Sequence, residues 1–277
     1  MTSTTPDLRD FAGRLVLVGA GKMGSALLEG WLRFGLDPKH VAILEPQPTP
    51  QISTLVSRGL RLNPALHGLG DVAAVVIAVK PQTAAEAIPP LKPMIGASTV
   101  VVSIMAGRTL QFIAAALNAP CALVRAMPNT PAAIGRGITV AVPRDVDPAQ
   151  RELAHRLLCA TGAVEWTDDE ALMDAVTAVS GSGPAYVFLM AEALAEAGVA
   201  AGLPPSLAEK LARETVAGSG ELLHRSELDA AVLRQNVTSP GGTTAAALDV
   251  LMGKDGLTPL MRKAVAAATK RSRELAG

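Results

Sequence analysis

Leu15-Val16-Leu17-Val18-Gly19-Ala20-Gly21-Lys22-Met23-Gly24 runs an apolar strand straight into a glycine-rich turn. Met23, Ala26, Leu27, Gly30, Trp31 and Phe34 then recur at helical spacing, so a helix follows at once. The stretch is a β–turn–α unit carrying G-x-G-x-x-G, and each glycine has a task. Gly19 permits the tight turn, Gly21 lets backbone N–H groups approach a pyrophosphate, and Gly24 lets helix and strand pack closely. The helix N-terminus faces the anion. In this setting the motif predicts a dinucleotide site.

The same logic extends along the chain. Residues 41–44 read as a second strand ending at Glu45, about twenty residues past the glycines, where such folds place a carboxylate on the adenosine ribose. A carboxylate there repels a 2′-phosphate, which leans the choice towards NADH over NADPH. Residues 59–62 form a short third strand, and 72–79 a near-continuous apolar run, as in a central strand covered on both faces. That run stops at Lys80-Pro81. A helix near 83–91, a strand over 99–104 and the small-residue turn Met105-Ala106-Gly107 repeat the unit. Residues 121–125 and 137–142 give further strands, separated by the rigid loop Met127-Pro128-Asn129-Thr130-Pro131. Asp147 caps a helix with Pro148 in its first turn, running to about Thr161.

This alternation predicts an α/β fold, a Rossmann-type doubly wound parallel sheet over residues 12–167. From 168 to 277 the pattern is helical throughout. Asp168 can cap a helix through Val179, with Asp168-Asp169-Glu170 in its first turn. Ser180-Gly181-Ser182-Gly183-Pro184 interrupts it. The next helix, 185 to about 199, is apolar on almost every side and must be buried. Helices over 206–224, 228–235 (capped by Ser226), 243–251 and 258–275 follow. So small a helical half cannot cover that surface alone, and a second copy is the expected cover.

Composition narrows the function. The chain has 277 residues, 49% of them hydrophobic, and 25 basic residues balance 25 acidic ones. No basic run points to nucleic acid, and no apolar span reaches membrane length. Residues 1–10 are polar, without the apolar run of a signal peptide. The two cysteines, Cys121 and Cys159, lack metal-ligand spacing and read as reduced, buried thiols of a cytoplasmic protein. The four histidines, His40, His67, His155 and His224, share no spacing suited to a metal, so no metal site is expected. No nucleophile elbow is present either. A second loop invites a ligand: Thr238-Ser239-Pro240-Gly241-Gly242-Thr243-Thr244 opens a helix with glycines and hydroxyls, a setting for a small carboxylate. A capped turn between two helices explains the same residues equally well.

Taken together, residues 18–23, Ala78-Val79-Lys80-Pro81, Val101-Val102-Ser103 with Ala106-Gly107, 125–131, 180–186 and 239–244 resemble the pyrroline-5-carboxylate reductase family, in its order from end to end. The resemblance implies reduction of a cyclic imino acid to L-proline by NADPH or NADH. It also implies a helical C-terminal domain interlocked with a second subunit as a homodimer, with decamers of five dimers in the family. Carried over, cofactor contacts fall on Val18, Gly19, Ala20, Gly21, Lys22, Met23, Glu45, Ala78, Val79, Lys80, Pro81, Ile104, Met105, Ala106 and Asn236. Substrate contacts fall on Glu227, Ser239, Gly242, Thr243 and Thr244. Thr244 is the candidate catalytic residue, its hydroxyl hydrogen-bonding the ring nitrogen. Glu45 departs from the small hydroxyl residues that many members place there, and Met105 replaces a small residue.

Three rivals stay in view. A β-hydroxyacid dehydrogenase needs a lysine on the helix after the dinucleotide domain, and residues 185–193 contain none. A reductase of six-membered ring imines fits the same motifs. A non-enzymatic dinucleotide sensor needs the glycine loop but not the second anion site.

Overall fold

A computed structural model of the chain describes residues 7–276. The first six residues of the polar N-terminal stretch lie outside the described part. Among the described residues, eight strands form one sheet: β1 (Arg14–Val18), β2 (Val41–Leu44), β3 (Arg61–Leu62), β4 (Val72–Ile77), β5 (Val100–Ser103), β6 (Ala122–Met127), β7 (Gly137–Arg144) and β8 (Gly162–Trp166). Their spatial order is β3-β2-β1-β4-β5-β6-β7-β8. The chain winds outward from β1 to β3 and then crosses to β4 on the other side of β1. Strand order therefore reverses between β1 and β4, the place where doubly wound sheets open a crevice at their carboxyl ends.

Period-two alternation assigns each strand residue to a face. Leu15 and Leu17 of β1 join one buried cluster with Leu27, Trp31 and Leu157. Val16 and Val18 join another with Val75, Ile77 and Ile88. Both faces are covered, which is why these strands are apolar at nearly every position. Helix α1 (Lys22–Arg33) seals the first face, and its fully buried Trp31 donates its indole N–H to the Leu157 carbonyl at 2.8 Å.

One pairing departs from the parallel expectation: β6 and β7 are antiparallel. Only residues 128–136 join them, folded around a 3-10 turn at Thr130–Ile134. A parallel crossover needs a dozen or more residues, so the proline-rich loop returns the chain beside itself. The helix expected over 83–91 is also broken. It becomes a 3-10 turn at Pro81–Thr83, one α turn, α3 (Ala84–Ala87), and a 3-10 stretch at Pro89–Met94. Pro89, Pro90 and Pro93 each remove a backbone donor there. The remaining helices of this region are α2 (Pro50–Val56), α4 (Leu110–Leu117) and α5 (Pro148–Cys159), the last opened by a reciprocal Asp147–Gln150 capping box.

Asp168 does not cap a long helix. Asp169 accepts from the Ala171 N–H to open a short 3-10 turn, followed by α6 (Met173–Val176) and a π-turn at Thr177–Gly181. Nor does Glu170 merely answer a helix dipole. Its Oε1 accepts from Leu110 N–H at 2.8 Å and from the guanidinium of Arg125 at 2.9 Å. Arg125 is 5% exposed, so this pair neutralises a buried charge.

The chain divides into two compact units, one running through Gly181 and rejoined from Thr269, the other Ser182–Ala268. The second contains α7 (Gly183–Ala200), α8 (Pro205–Arg225), α9 (Ala230–Asn236), α10 (Thr243–Leu251) and most of α11 (Leu257–Ala276). The expected Ser226 cap is instead a local turn: its hydroxyl accepts from Leu228 N–H, and α9 begins only at Ala230. Helices α7 and α8 pack closely because Gly198 carries no Cβ; one there would lie 3.2 Å from the Ala208 Cβ. Ala208 and Ala212 are buried in α8, whereas α7 buries no residue. Phe188 and Leu189 of α7 are each 63% exposed, and Met190 and Leu194 are nearly half exposed.

Candidate active site

At the reversal of strand order lies a cleft of about 810 Å³. Its floor is the carboxyl ends of three neighbouring strands. Val18 and Gly19 leave β1, Leu44 and Glu45 leave β2, and Ala78, Val79 and Lys80 leave β4; Gly21 completes the glycine-loop wall.

The glycine loop can be tested atom by atom. Gly19 sits at φ +89°, and a Cβ there would lie 2.9 Å from the Ala78 carbonyl oxygen. A Cβ on Gly24 would lie 2.3 Å from the Gly19 carbonyl oxygen, so the helix crosses its own strand at backbone contact. Gly21 differs: nothing lies within 4 Å of its Cβ position. Gly21 is also the N-cap of α1, with no side-chain cap and no acid in the first turn. An open helix N-terminus without a cap suits a phosphate group. These residues fit a dinucleotide.

Glu45 is held in place. Its Oε2 accepts from Ala20 N–H at 2.7 Å and its Oε1 from Gln47 N–H at 2.9 Å. Ala20 is therefore already committed to Glu45, which leaves the donors at the start of α1 for the anion. Ser25 closes the loop from below, its hydroxyl donating to the Ala20 carbonyl.

The remaining positions named from the sequence spread outward. Lys22 and Met23 are in the first turn of α1, and Pro81 follows Lys80 in its 3-10 turn. Ile104, Met105 and Ala106 follow β5, with Ile104 N–H donating to the Ile77 carbonyl. Ala106 is exposed, but Met105 is 2% exposed and its side chain packs in the core, leaving only backbone to offer a ligand. Asn236 belongs to the helical unit, as the last residue of α9.

Two residues at the cleft carry no sequence signal. Asn63 lines it beside Glu45, whose backbone it clasps. Glu86 lines it from α3. Outside that lining, Arg108 ties the turn after β5 to the one after β4, its Nε and an Nη donating to the Pro81 carbonyl at 3.2 and 3.0 Å while the guanidinium stacks 4.6 Å over Phe112. No spacing rule links an arginine in one turn to a carbonyl in another.

The second anion candidate is the turn before α10. Gly241 adopts φ +69°, and Gly242 is the N-cap without a side-chain cap. Gly242 N–H donates to the Ser239 carbonyl at 3.1 Å, so that donor is spent within the turn. The N–H groups of Thr243 and Thr244 remain as first-turn donors. Thr243 and Ser239 are exposed and Thr244 is half-buried; Glu227 is exposed in the α8–α9 connection.

Two of the histidines have structural partners. His40 Nδ1 meets the Gly13 carbonyl, and His155 receives the Trp166 indole N–H. Among the described residues no cluster of His, Cys, Asp or Glu could hold a metal, and no helix is long and apolar enough to cross a membrane. The cysteines are free and half-buried, not fully buried; burial raises the Cys121 thiol and pushes Cys159 up to about 11, with Glu152 adding to the latter.

Known proteins match the chain through both units. Residues 170–275 match the model of pyrroline-5-carboxylate reductase dimerisation, and 14–107 match that of NADP oxidoreductase, coenzyme F420-dependent. A pyrroline-5-carboxylate reductase from Synechocystis is 41% identical over 95% of this chain and 98% of its own. The structure of the Coxiella burnetii pyrroline-5-carboxylate reductase superposes with a TM-score of 0.88 at 33% identity, covering 96% and 99% of the two chains. That of Plasmodium falciparum pyrroline carboxylate reductase, with NADP bound, gives 0.79 at 29% identity over 95% and 98%.

Proposed function

From the premise that the chain belongs to the pyrroline-5-carboxylate reductase family, we propose that it reduces 1-pyrroline-5-carboxylate to L-proline, the last step of proline biosynthesis. The observation that carries the dinucleotide half of this reading is the open, glycine-capped N-terminus of α1 at the sheet's switch point. Bound reduced nicotinamide supplies the hydride.

The chain's own residues bind and orient. The first-turn donors of α1 hold the pyrophosphate, while Glu45 takes the adenosine ribose and favours NADH over NADPH. Ala78, Val79, Lys80 and Pro81, with the backbone of Ile104, Met105 and Ala106, border the rest of the cofactor, and Asn236 is a further contact. The N–H groups of Thr243 and Thr244 hold the substrate carboxylate, with Ser239 and Gly242 shaping the turn and Glu227 beside it. The Thr244 hydroxyl hydrogen-bonds the ring nitrogen and helps manage its proton. A protonated C=N is strongly electrophilic at carbon, so the site needs no strong acid. Placing donor and acceptor carbons in line accounts for most of the acceleration.

A second copy supplies cover for α7, and assembly of five such dimers in the cytoplasm is the state we infer. One assay tests the function: purified protein, pyrroline-5-carboxylate, and NADH or NADPH in parallel, followed by loss of nicotinamide absorbance. Turnover with the five-membered imine is expected. Protein that binds NADH but reduces no cyclic imine overturns the enzyme reading, and preference for a six-membered ring redirects it.

A further inference from the structure

The discrimination between the two dinucleotides depends on a residue that no motif marks. Asn63 follows the two-residue strand β3 and stands at φ +46°, in the left-handed region that asparagine tolerates. Its N–H extends the ladder to the Ile43 carbonyl at 2.7 Å. Its side chain then grips both backbone groups of Glu45: Oδ1 accepts from Glu45 N–H at 2.8 Å, and Nδ2 donates to the Glu45 carbonyl at 2.9 Å.

The Glu45 carboxylate is tethered too, one oxygen on Ala20 N–H and the other on Gln47 N–H. Glu45 is thus fixed by four hydrogen bonds, two at its backbone and two at its carboxylate. One of these tethers is a donor of the glycine loop itself. To admit a 2′-phosphate the carboxylate must leave, which frees Ala20 and Gln47, and the backbone clasp denies the main chain any compensating shift. Little counter-charge in the cleft lining rewards that move. Among the described residues lining the cleft Lys80 is the one cation, at the end of β4, and Glu86 adds a second acid.

We propose that Asn63 is a positioning residue for cofactor choice, holding Glu45 where its carboxylate accepts the ribose hydroxyls of NADH and excludes the 2′-phosphate of NADPH. The inference rests on the reading of Glu45 given above. Loss of the clasp lets Glu45 swing with the strand end, so NADH loses an oriented acceptor and NADPH meets less repulsion.

The test is binding, by calorimetry or fluorescence, of NADH and NADPH to the wild-type protein, Asn63→Gly and Glu45→Ser, with melting midpoints measured alongside. Glycine keeps the left-handed backbone and removes only the clasp, and residue 63 is exposed, so folding is preserved. The wild-type protein should bind NADH more tightly, and Asn63→Gly should narrow the ratio of the two Kd values about tenfold, the scale of a lost oriented hydrogen-bond pair. Glu45→Ser should abolish the preference. Equal weakening of both cofactors in Asn63→Gly, or an unchanged ratio, overturns the role of Asn63. A wild-type protein without NADH preference, or a ratio that survives Glu45→Ser, overturns the Glu45 reading and this proposal with it. Neither result bears on whether the imine is reduced.

Discussion

Two helices in this chain begin alike and end up in opposite circumstances. Helix α1 and helix α10 each start at a glycine N-cap with no side-chain cap, leaving first-turn N–H groups for an anion. Around α1 everything is supplied by the same chain: Gly24 touches Gly19, the Glu45 carboxylate braces Ala20, and six residues of the helix are buried. Helix α10 buries none, and Val250, Leu251 and Met252 at its far end are more than half exposed. A helix N-terminus is a generic anion site, and what differs is who completes it. The residues lining the first all come from the sheet unit. The second sits in a region whose apolar surface awaits a second copy.

The contrast breaks most sharply at α7. Phe188→Asp places an unpaired charge on the exposed apolar face of α7 proposed above to be covered by a second copy, a cost of about 3–5 kcal/mol at each site so buried. Light scattering should show loss of the dimer and the assay loss of turnover. NADH binding should survive, because the residues lining the cleft all belong to the sheet unit. Loss of NADH binding as well would show that the α1 site is not self-sufficient.

Gly24→Ala attacks the self-contained site directly. Its Cβ would meet the Gly19 carbonyl oxygen at 2.3 Å, and the helix must move off the strand. Overpacking of this kind costs about 1–3 kcal/mol, read as a lower melting midpoint together with weakened binding of both dinucleotides. Unchanged dinucleotide binding would mean the close crossing is not what shapes the loop.

Thr244→Ala probes the other terminus. Removing one positioning hydrogen bond should cost about 1–3 kcal/mol of transition-state stabilisation, seen as lower kcat/KM for the imine with NADH affinity intact. Full turnover in this variant would remove Thr244 from the chemistry.

The last test lies at Cys159, the final residue of α5 and outside the cleft lining. Burial pushes the Cys159 thiol up to about 11, so it stays protonated well above neutrality and thiolate appears only as pH approaches that value. Alkylation at pH 8 should be about a hundredfold slower than for a free cysteine. Rapid labelling would mean that the α5 end opens.

Much of this architecture is legible in the residues alone. The strand–glycine–helix run from Leu15, the apolar stretch at β4 and the Asp147 cap are local patterns, and each lies in the structure where its spacing places it. The departures share a cause. The antiparallel β6–β7 pair follows from the length of a loop, not from its composition. Glu170 reads as a helix-start acid because Arg125, its partner, is 45 positions away. Asn63 and Arg108 give no signal because their partners are backbone groups of other turns.

The chain's sequence thus settled most of what depends on neighbours within a few turns: the majority of element types, the anion-ready glycine caps, and a largely apolar α7 that buries no residue within one chain. Period and propensity act over that range, so they can be read in order. Tertiary structure alone decided which carboxylate neutralises Arg125, that Ala20 serves Glu45, and that Asn63 fixes Glu45 at the cleft. Those contacts join residues well separated along the chain, and only the folded sheet brings them within hydrogen-bonding distance.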